Sequence, residues 1–352
     1  MHSPHRPEND LHSQSLAEIY NSSAAHYRKT FPEKLANLYI TLGFDEVYAS
    51  PDIGAHLTQN ISSVREMVSG RLALMKKLNI DAAVGANSVG GKEVRYLSML
   101  DAPDTSFVSA LFPPAMNQIA IFDHEMGHIV VPNGSQGKPA HLSECAADAY
   151  AALRHLQRFG TATDILGHAP YMAAESALFE PFPLHYTSAV FQKIARIRQE
   201  GEIDIQALSL QETAALAGKI AIDYAYSDIT LGKIHSAYAR ARAAEREERS
   251  DWARVVCCVA AAMLEHRHDD DIYRAGKLYL GRPEIKRLIG TKLADHAQFQ
   301  SALAAMARHE KDSGFIPDAA AAIDKKRAAG VMNKTRAAGA AQKAFQPQGG
   351  AP

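Results

Sequence analysis

Cysteine is scarce in this chain. Cys145, Cys257 and Cys258 are the only three in 352 residues, with no C-x-x-C pair among them. A disulfide framework is excluded, and a reducing compartment is the simpler home. Net charge is nearly absent as well. Thirty-eight Lys and Arg stand against 39 Asp and Glu, which leaves no basic field to gather nucleic acid. No apolar run approaches the ~20 residues that span a bilayer. The first fourteen residues are polar and interrupted by prolines, so no secretory apolar region opens the chain. A cytoplasmic protein without a transmembrane segment is expected, with signal-independent export left open. Phosphate-loop chemistry is missing too. Gly85, Gly90 and Gly91 lie outside any strand-to-helix setting, and no G-x-x-x-x-G-K-[ST] occurs.

What the chain does have is alanine and helical periodicity. Apolar spacing predicts helices over Val64–Leu78, Gln118–Val131, Leu142–Phe159, Ser188–Arg198, Leu210–Tyr224, Ile229–Arg249, Trp252–His266 and Gln298–His309. β-formers concentrate in Val94–Leu100 and Phe107–Phe112. The expected class is mainly α, of α+β type, with a small sheet ahead of the Gln118–Val131 helix. Residues 1–27 read as a polar, flexible start, 28–205 as the main domain and 206–316 as an all-α lobe. From 317 to 352 the composition turns to Ala, Lys, Arg, Gly and Gln, with six basic and two acidic residues after Pro317. Such a tail is expected to stay disordered. The lobe is either a second wall of a cleft or a module for a protein partner, and the basic tail is a second candidate for docking.

Residues 124–128 read His-Glu-Met-Gly-His. On a helix this H-E-x-x-H puts two imidazoles one turn apart on one face, able to grip one zinc ion. The glutamate between them is then placed to act on a metal-activated water. Ile119–Phe122 before it and Ile129–Val131 after it supply an apolar helical setting, and Pro132-Asn133-Gly134 supplies a stop. The longer H-x-x-G-x-x-H pattern fails, since Val131 and Gly134 stand where glycine and histidine would be needed. A glutamate on a following helix is the other solution. Glu144 and Asp148 share a face of the Leu142–Phe159 helix. Glu144 could complete a His124-His128-Glu144 site, and Asp148 could accept the distal N–H of a ligating imidazole.

Residues 119–160, with H-E-M-G-H followed by Glu144-Cys145-Ala146-Ala147-Asp148, resemble the gluzincin zinc metallopeptidases. The form of the motif is closest to the CAAX-type prenyl proteases and their soluble relatives. The resemblance implies a zincin-like core holding one Zn2+ on His124, His128 and Glu144, with Glu125 as general base and Asp148 behind the ligands. It implies hydrolysis of a protein or peptide substrate. It also implies a cleft histidine some tens of residues downstream to hold the developing oxyanion. His185 is placed about right, although Tyr186 stands where those relatives carry proline, and a tyrosine hydroxyl could perform the same task. In such enzymes an extended substrate pairs with an edge strand, for which Val94–Leu100 and Phe107–Phe112 are the candidates.

Plainer readings compete. His124 and His128 could be core histidines, or their zinc could be structural in a helical interaction protein. A zinc hydrolase of non-peptide amides would need the same residues. His141 and His155 flank Glu144 as second-choice ligands. His266-Arg267-His268-Asp269-Asp270-Asp271 suits a junction of two helices, histidines ending one and aspartates starting the next, better than a metal cluster.

Overall fold

The computed structural model describes residues 15–78, 80–100, 114–132, 139–160, 165–247 and 251–328. The first element, α1 (Leu16–Thr30), begins at a capping box: Ser15 Oγ accepts from the Glu18 N–H and the Glu18 carboxylate accepts from the Ser15 N–H. Its Tyr20, Ala24 and Tyr27 are fully buried. Most of this helix lies inside the stretch expected to be flexible, so that expectation is corrected. An apolar stripe at Ile19, Tyr20, Ala24 and Tyr27 is enough to dock it.

Four strands follow, β1 (Leu38–Leu42), β2 (Asp45–Ala49), β3 (Ala82–Val89) and β4 (Lys92–Met99), with α2 (Pro51–Gln59) and α3 (Ile61–Leu78) between the two pairs. They form one sheet in the order β2-β1-β4-β3, parallel only between β1 and β4. A two-residue turn closes the β3–β4 hairpin, where Gly90 (φ 53°) and Gly91 (φ 80°) take the left-handed conformations such a turn demands. Period-two alternation divides the sheet faces. Leu38, Ile40, Leu97 and Met99 enter the principal core, whereas Tyr39 and Val94 pack under α2 and α3.

The remaining elements of the described residues are helices: α4 (Pro114–Val130), α5 (Ala140–Phe159), α6 (Ile165–Phe179), α7 (Ser188–Glu200), α8 (Leu210–Tyr224), α9 (Asp228–Ala237), α10 (Ala239–Glu247), α11 (Trp252–Glu265), α12 (Asp270–Leu280), α13 (Pro283–Lys292) and α14 (Ala297–Ser313). The protein is therefore mainly α with one small sheet ahead of α4. No described helix is long and apolar enough to cross a membrane.

Two helical cores meet along α6 and the segment after it. The first gathers α1, α4, α5, α7, α8 and the sheet. The second gathers α9 to α14 around Ala174, Ala177, Leu178 and Tyr186. The break between cores thus falls after α8 rather than at residue 206, because Leu210, Ala214, Ala217 and Ala221 turn an apolar face toward the first core. The expected single helix Ile229–Arg249 is interrupted at Tyr238, whose ring is buried and whose hydroxyl donates to the Ile272 carbonyl at 2.8 Å. At the His266–Asp271 run, α11 ends on His266 and Asp269 caps α12 by accepting from the Asp271 and Ile272 N–H groups. The run is a helix junction.

The segment assigned to a disordered tail is ordered in its first part. Residues 319–328 are helical, Ala319 and Ala320 are buried in the first core, and Asp324 accepts from Arg196 and Tyr224. Small alanines let this helix lie close against α7 and α8, which composition alone does not reveal. Phe107–Phe112 lies outside the described residues.

Candidate metal centre and the adjoining cleft

The centre is built where α4 crosses α5. The crossing is close because position 127 is glycine: a Cβ there would stand 2.8 Å from Ala147 Cα and 3.2 Å from the Ala147 carbonyl oxygen. Both are backbone atoms that cannot swing aside. The small residues of the E-C-A-A-D stretch complete the contact and bring Glu144 and Asp148 against the histidines of α4.

The side chains then converge. His124 Nε2 and His128 Nε2 are 3.2 Å apart, and Glu144 Oε2 lies 3.3 Å from the first and 3.5 Å from the second. One ligand atom from each of the three lies within 4.8 Å of the others, so the group could hold a metal ion. Each imidazole is fixed from behind. His124 Nδ1 donates to Asp148 Oδ1 at 2.7 Å, and His128 Nδ1 sits 2.9 Å from Ser143 Oγ. Asp148 is itself held by the Thr187 hydroxyl at 2.5 Å. With both Nδ1 atoms engaged outward, both Nε2 lone pairs are directed at the point Glu144 faces.

Electrostatics agree with a cation there. Burial opposes charge on His124, but Asp148 and Glu144 outweigh it and raise its pKa well above the ordinary value. Burial likewise opposes charge on Glu144, yet contact with His124, His128 and His185 holds its carboxyl far below the usual range. Glu144 Oε2 is buried without a hydrogen bond of ordinary geometry, although imidazole nitrogens surround it. A buried carboxylate oxygen so placed could be completed by a metal ion shared with those nitrogens. The donor set fits.

Beneath the centre, α4 is tied down by Asp123, which accepts from Tyr27 at 2.6 Å and from Arg158 at 2.9 and 3.1 Å. Burial works against this carboxylate, but Arg158 and Arg154 outweigh it and lower its pKa. The residue next to His124 fixes the helix while His124 itself faces the ligand point.

Glu125 and His124 line a cleft of about 870 Å3 that also receives Asp148, Thr187 and His185. His185, 48% exposed, places Nε2 3.4 Å from Glu144 Oε2 and Nδ1 3.1 Å from Glu180. Burial alone would lower its pKa, but Glu144 and Glu180 push it up to about 10. Tyr186 is not brought to the site. It is fully buried in the second core, stacked on Tyr226 at 4.9 Å. Adjacent residues in this irregular segment point to opposite sides, and the larger apolar ring takes the core side.

His141 and His155 are not ligands in this arrangement. His141 donates from Nδ1 to the Leu184 carbonyl at 2.6 Å and accepts from the Tyr226 N–H at 3.1 Å. Burial, the largest influence, lowers its pKa, so a neutral imidazole pins the segment that carries His185. His155 packs on Phe159, 4.8 Å between ring centroids. Cys145 is buried beside His141, and burial raises its thiol pKa well above the ordinary value.

Val94–Leu100 corresponds to β4, which is paired on both sides and presents no free edge. The edge beside the cleft belongs to β3, with Ile80, Asp81 and Ala82 at the cleft wall. Ser143, Thr187 and Glu180 were not singled out by the sequence. Each is one polar residue on an unremarked spacing, and only the fold brings it to a histidine or its aspartate. No family model, curated protein or solved structure matches this chain.

Proposed function

We propose that the protein is a zinc-dependent metallopeptidase with a zincin-like core, acting on a protein or peptide through Glu125. The observation that carries this reading is the pair of imidazoles held from behind by Asp148 and Ser143, with Nε2 atoms and Glu144 aimed at one point beside an open cleft. A structural zinc is typically closed by four protein donors, whereas three donors next to a cavity suit a site that admits substrate. Zinc, when bound there, supplies Lewis-acid polarisation of the scissile carbonyl and acidifies water.

The chain's own groups supply the rest. Glu125, at the cleft wall next to His124, takes a proton from the attacking water and returns it to the leaving nitrogen. His185, at the open rim, donates to the developing oxyanion. The edge of β3, unpaired among the described residues, offers backbone donors and acceptors to an extended substrate, a pairing that gives affinity without fixing sequence. That edge favours a peptide over a small non-peptide amide.

The test is metal content and cleavage of an unfolded, alkylated protein, measured together for wild type, Glu125→Gln and Glu144→Ala. About one zinc per chain is expected in wild type and in Glu125→Gln, with loss or weakening in Glu144→Ala. Cleavage by Glu125→Gln should fall by about 10²–10⁴-fold. Zinc retained with no cleavage by any form would favour a helical interaction protein with a structural metal.

A further inference from the structure

The cleft beside the metal centre carries a charge pattern that hydrolysis itself does not require. Six carboxylates line it, Asp81, Glu125, Asp148, Glu175, Glu180 and Glu245, and among the described residues no lysine or arginine does. Some have local partners: Asp148 holds His124, Glu180 meets His185 and Glu175 pairs with Arg282. Glu245, half-buried on α10, has no hydrogen bond or ion pair among the described residues.

A second feature lies on the same wall. One face of α6, formed by Ala169, Met172, Ala173, Ser176, Phe179 and then Glu180, runs along the cleft at helical spacing. Ser176 is 7% exposed and its Oγ has no hydrogen-bond partner among the described residues. A buried hydroxyl in that state is stabilised by any ligand group that donates to it. Apolar atoms of Met172, Ala173 and Phe179 therefore flank one unsatisfied acceptor, with carboxylates at the margin.

An apolar wall ending in acceptors matches a side chain with an apolar stem and a cationic head. We propose that this α6 wall is a subsite for an arginine or lysine side chain next to the bond to be cut, with Ser176 and Glu245 receiving its N–H donors. A bare metal cation would gain nothing from Met172 and Phe179, and an acidic peptide would be repelled. The proposal rests on the metallopeptidase reading for its substrate class.

The test measures binding separately from cleavage. Zinc-loaded Glu125→Gln protein is titrated into fluorescein-labelled hexapeptides that differ only in a central arginine, norleucine or glutamate, and anisotropy is followed. The arginine peptide should bind about tenfold more tightly than the norleucine peptide, with the glutamate peptide weakest. Adding Glu245→Lys should remove the arginine preference, and Ser176→Ala should narrow it, with circular dichroism confirming that each variant is folded. Equal affinity for the three peptides, or an arginine preference intact in both variants, overturns the subsite. Wild type is then tested for cleavage of the same peptides. Arginine-selective binding without cleavage leaves the subsite and removes the peptidase reading, while cleavage without selectivity does the reverse.

Discussion

At the residue scale, His185 and Tyr186 are adjacent in sequence and separated in role. His185 reaches within 3.4 Å of Glu144 at the cleft rim, whereas the Tyr186 hydroxyl is buried in the second core beside Tyr226. Under the proposed mechanism, His185→Ala should lower kcat by about 10²–10³-fold, the usual cost of losing an oxyanion donor. Tyr186→Phe removes a hydroxyl that faces Tyr226 rather than the cleft, so kcat should stay within about twofold and stability should fall by no more than about 1.5 kcal/mol. Steady-state kinetics on one peptide checks both, and a large kcat loss in Tyr186→Phe would reverse the assignment. The same pair marks how far the sequence could be read at this scale. His124, His128, Glu144 and Asp148 were legible because an α-helix imposes a four-residue repeat on anything that shares a face. Ser143, Thr187 and Glu180 obey no such repeat relative to their partners, since their contacts arise only when α4, α5 and the 180–187 segment meet.

At the element scale, the approach of α4 to α5 depends on Gly127. Elsewhere in these helices glycine is a liability. Gly70 on α3 has nothing within 4 Å of the position a methyl group would take, and Gly70→Ala should stabilise by about 0.5–1 kcal/mol through helix propensity. Gly127→Ala gains the same propensity but drives a Cβ to 2.8 Å from Ala147 Cα. The helices must part, which costs about 1–3 kcal/mol and draws Glu144 away from the histidines. Urea unfolding with zinc titration on the two variants checks this. Opposite signs of stability change, with weakened metal binding only in Gly127→Ala, are expected. Long periodic elements were readable for a related reason: α3, α5, α7, α8 and α11 each carry one continuous apolar stripe. The division of α9 from α10 was not, because Tyr238 breaks the pattern by anchoring to Ile272, a contact between elements. Sheet order was hidden in the same way, so the strand expected at an edge is an interior one and the edge by the cleft is β3.

At the scale of the whole molecule, a buried polar cluster joins the amino-terminal helix to the pair that carries the candidate metal site. Tyr27 of α1, Asp123 of α4 and Arg158 of α5 meet in direct hydrogen bonds, so one carboxylate links three elements of the first core. Its titration should govern acid stability. Asp123 has a folded-state pKa below the ordinary value, near 3.9. Its contribution is therefore complete above that ordinary value and is lost as pH falls through the lowered folded one. Tyr27 behaves in the opposite limb. Burial, aided by Asp123 and opposed by Arg154, raises its phenol pKa, so the neutral form is kept on folding. Stability should also fall as pH rises past about 10, where the unfolded phenol ionises. Asp123→Asn isolates the acid limb from other carboxylates. At pH 7 it should cost about 3 kcal/mol, because Arg158 loses its counter-charge in a largely buried position. Unfolding free energies of wild type and variant, measured from pH 7 down to pH 3, should differ by a constant amount above about pH 5 and converge below pH 4. A gap that stays unchanged at pH 3 would mean that the cluster is held by packing rather than by the charge of Asp123.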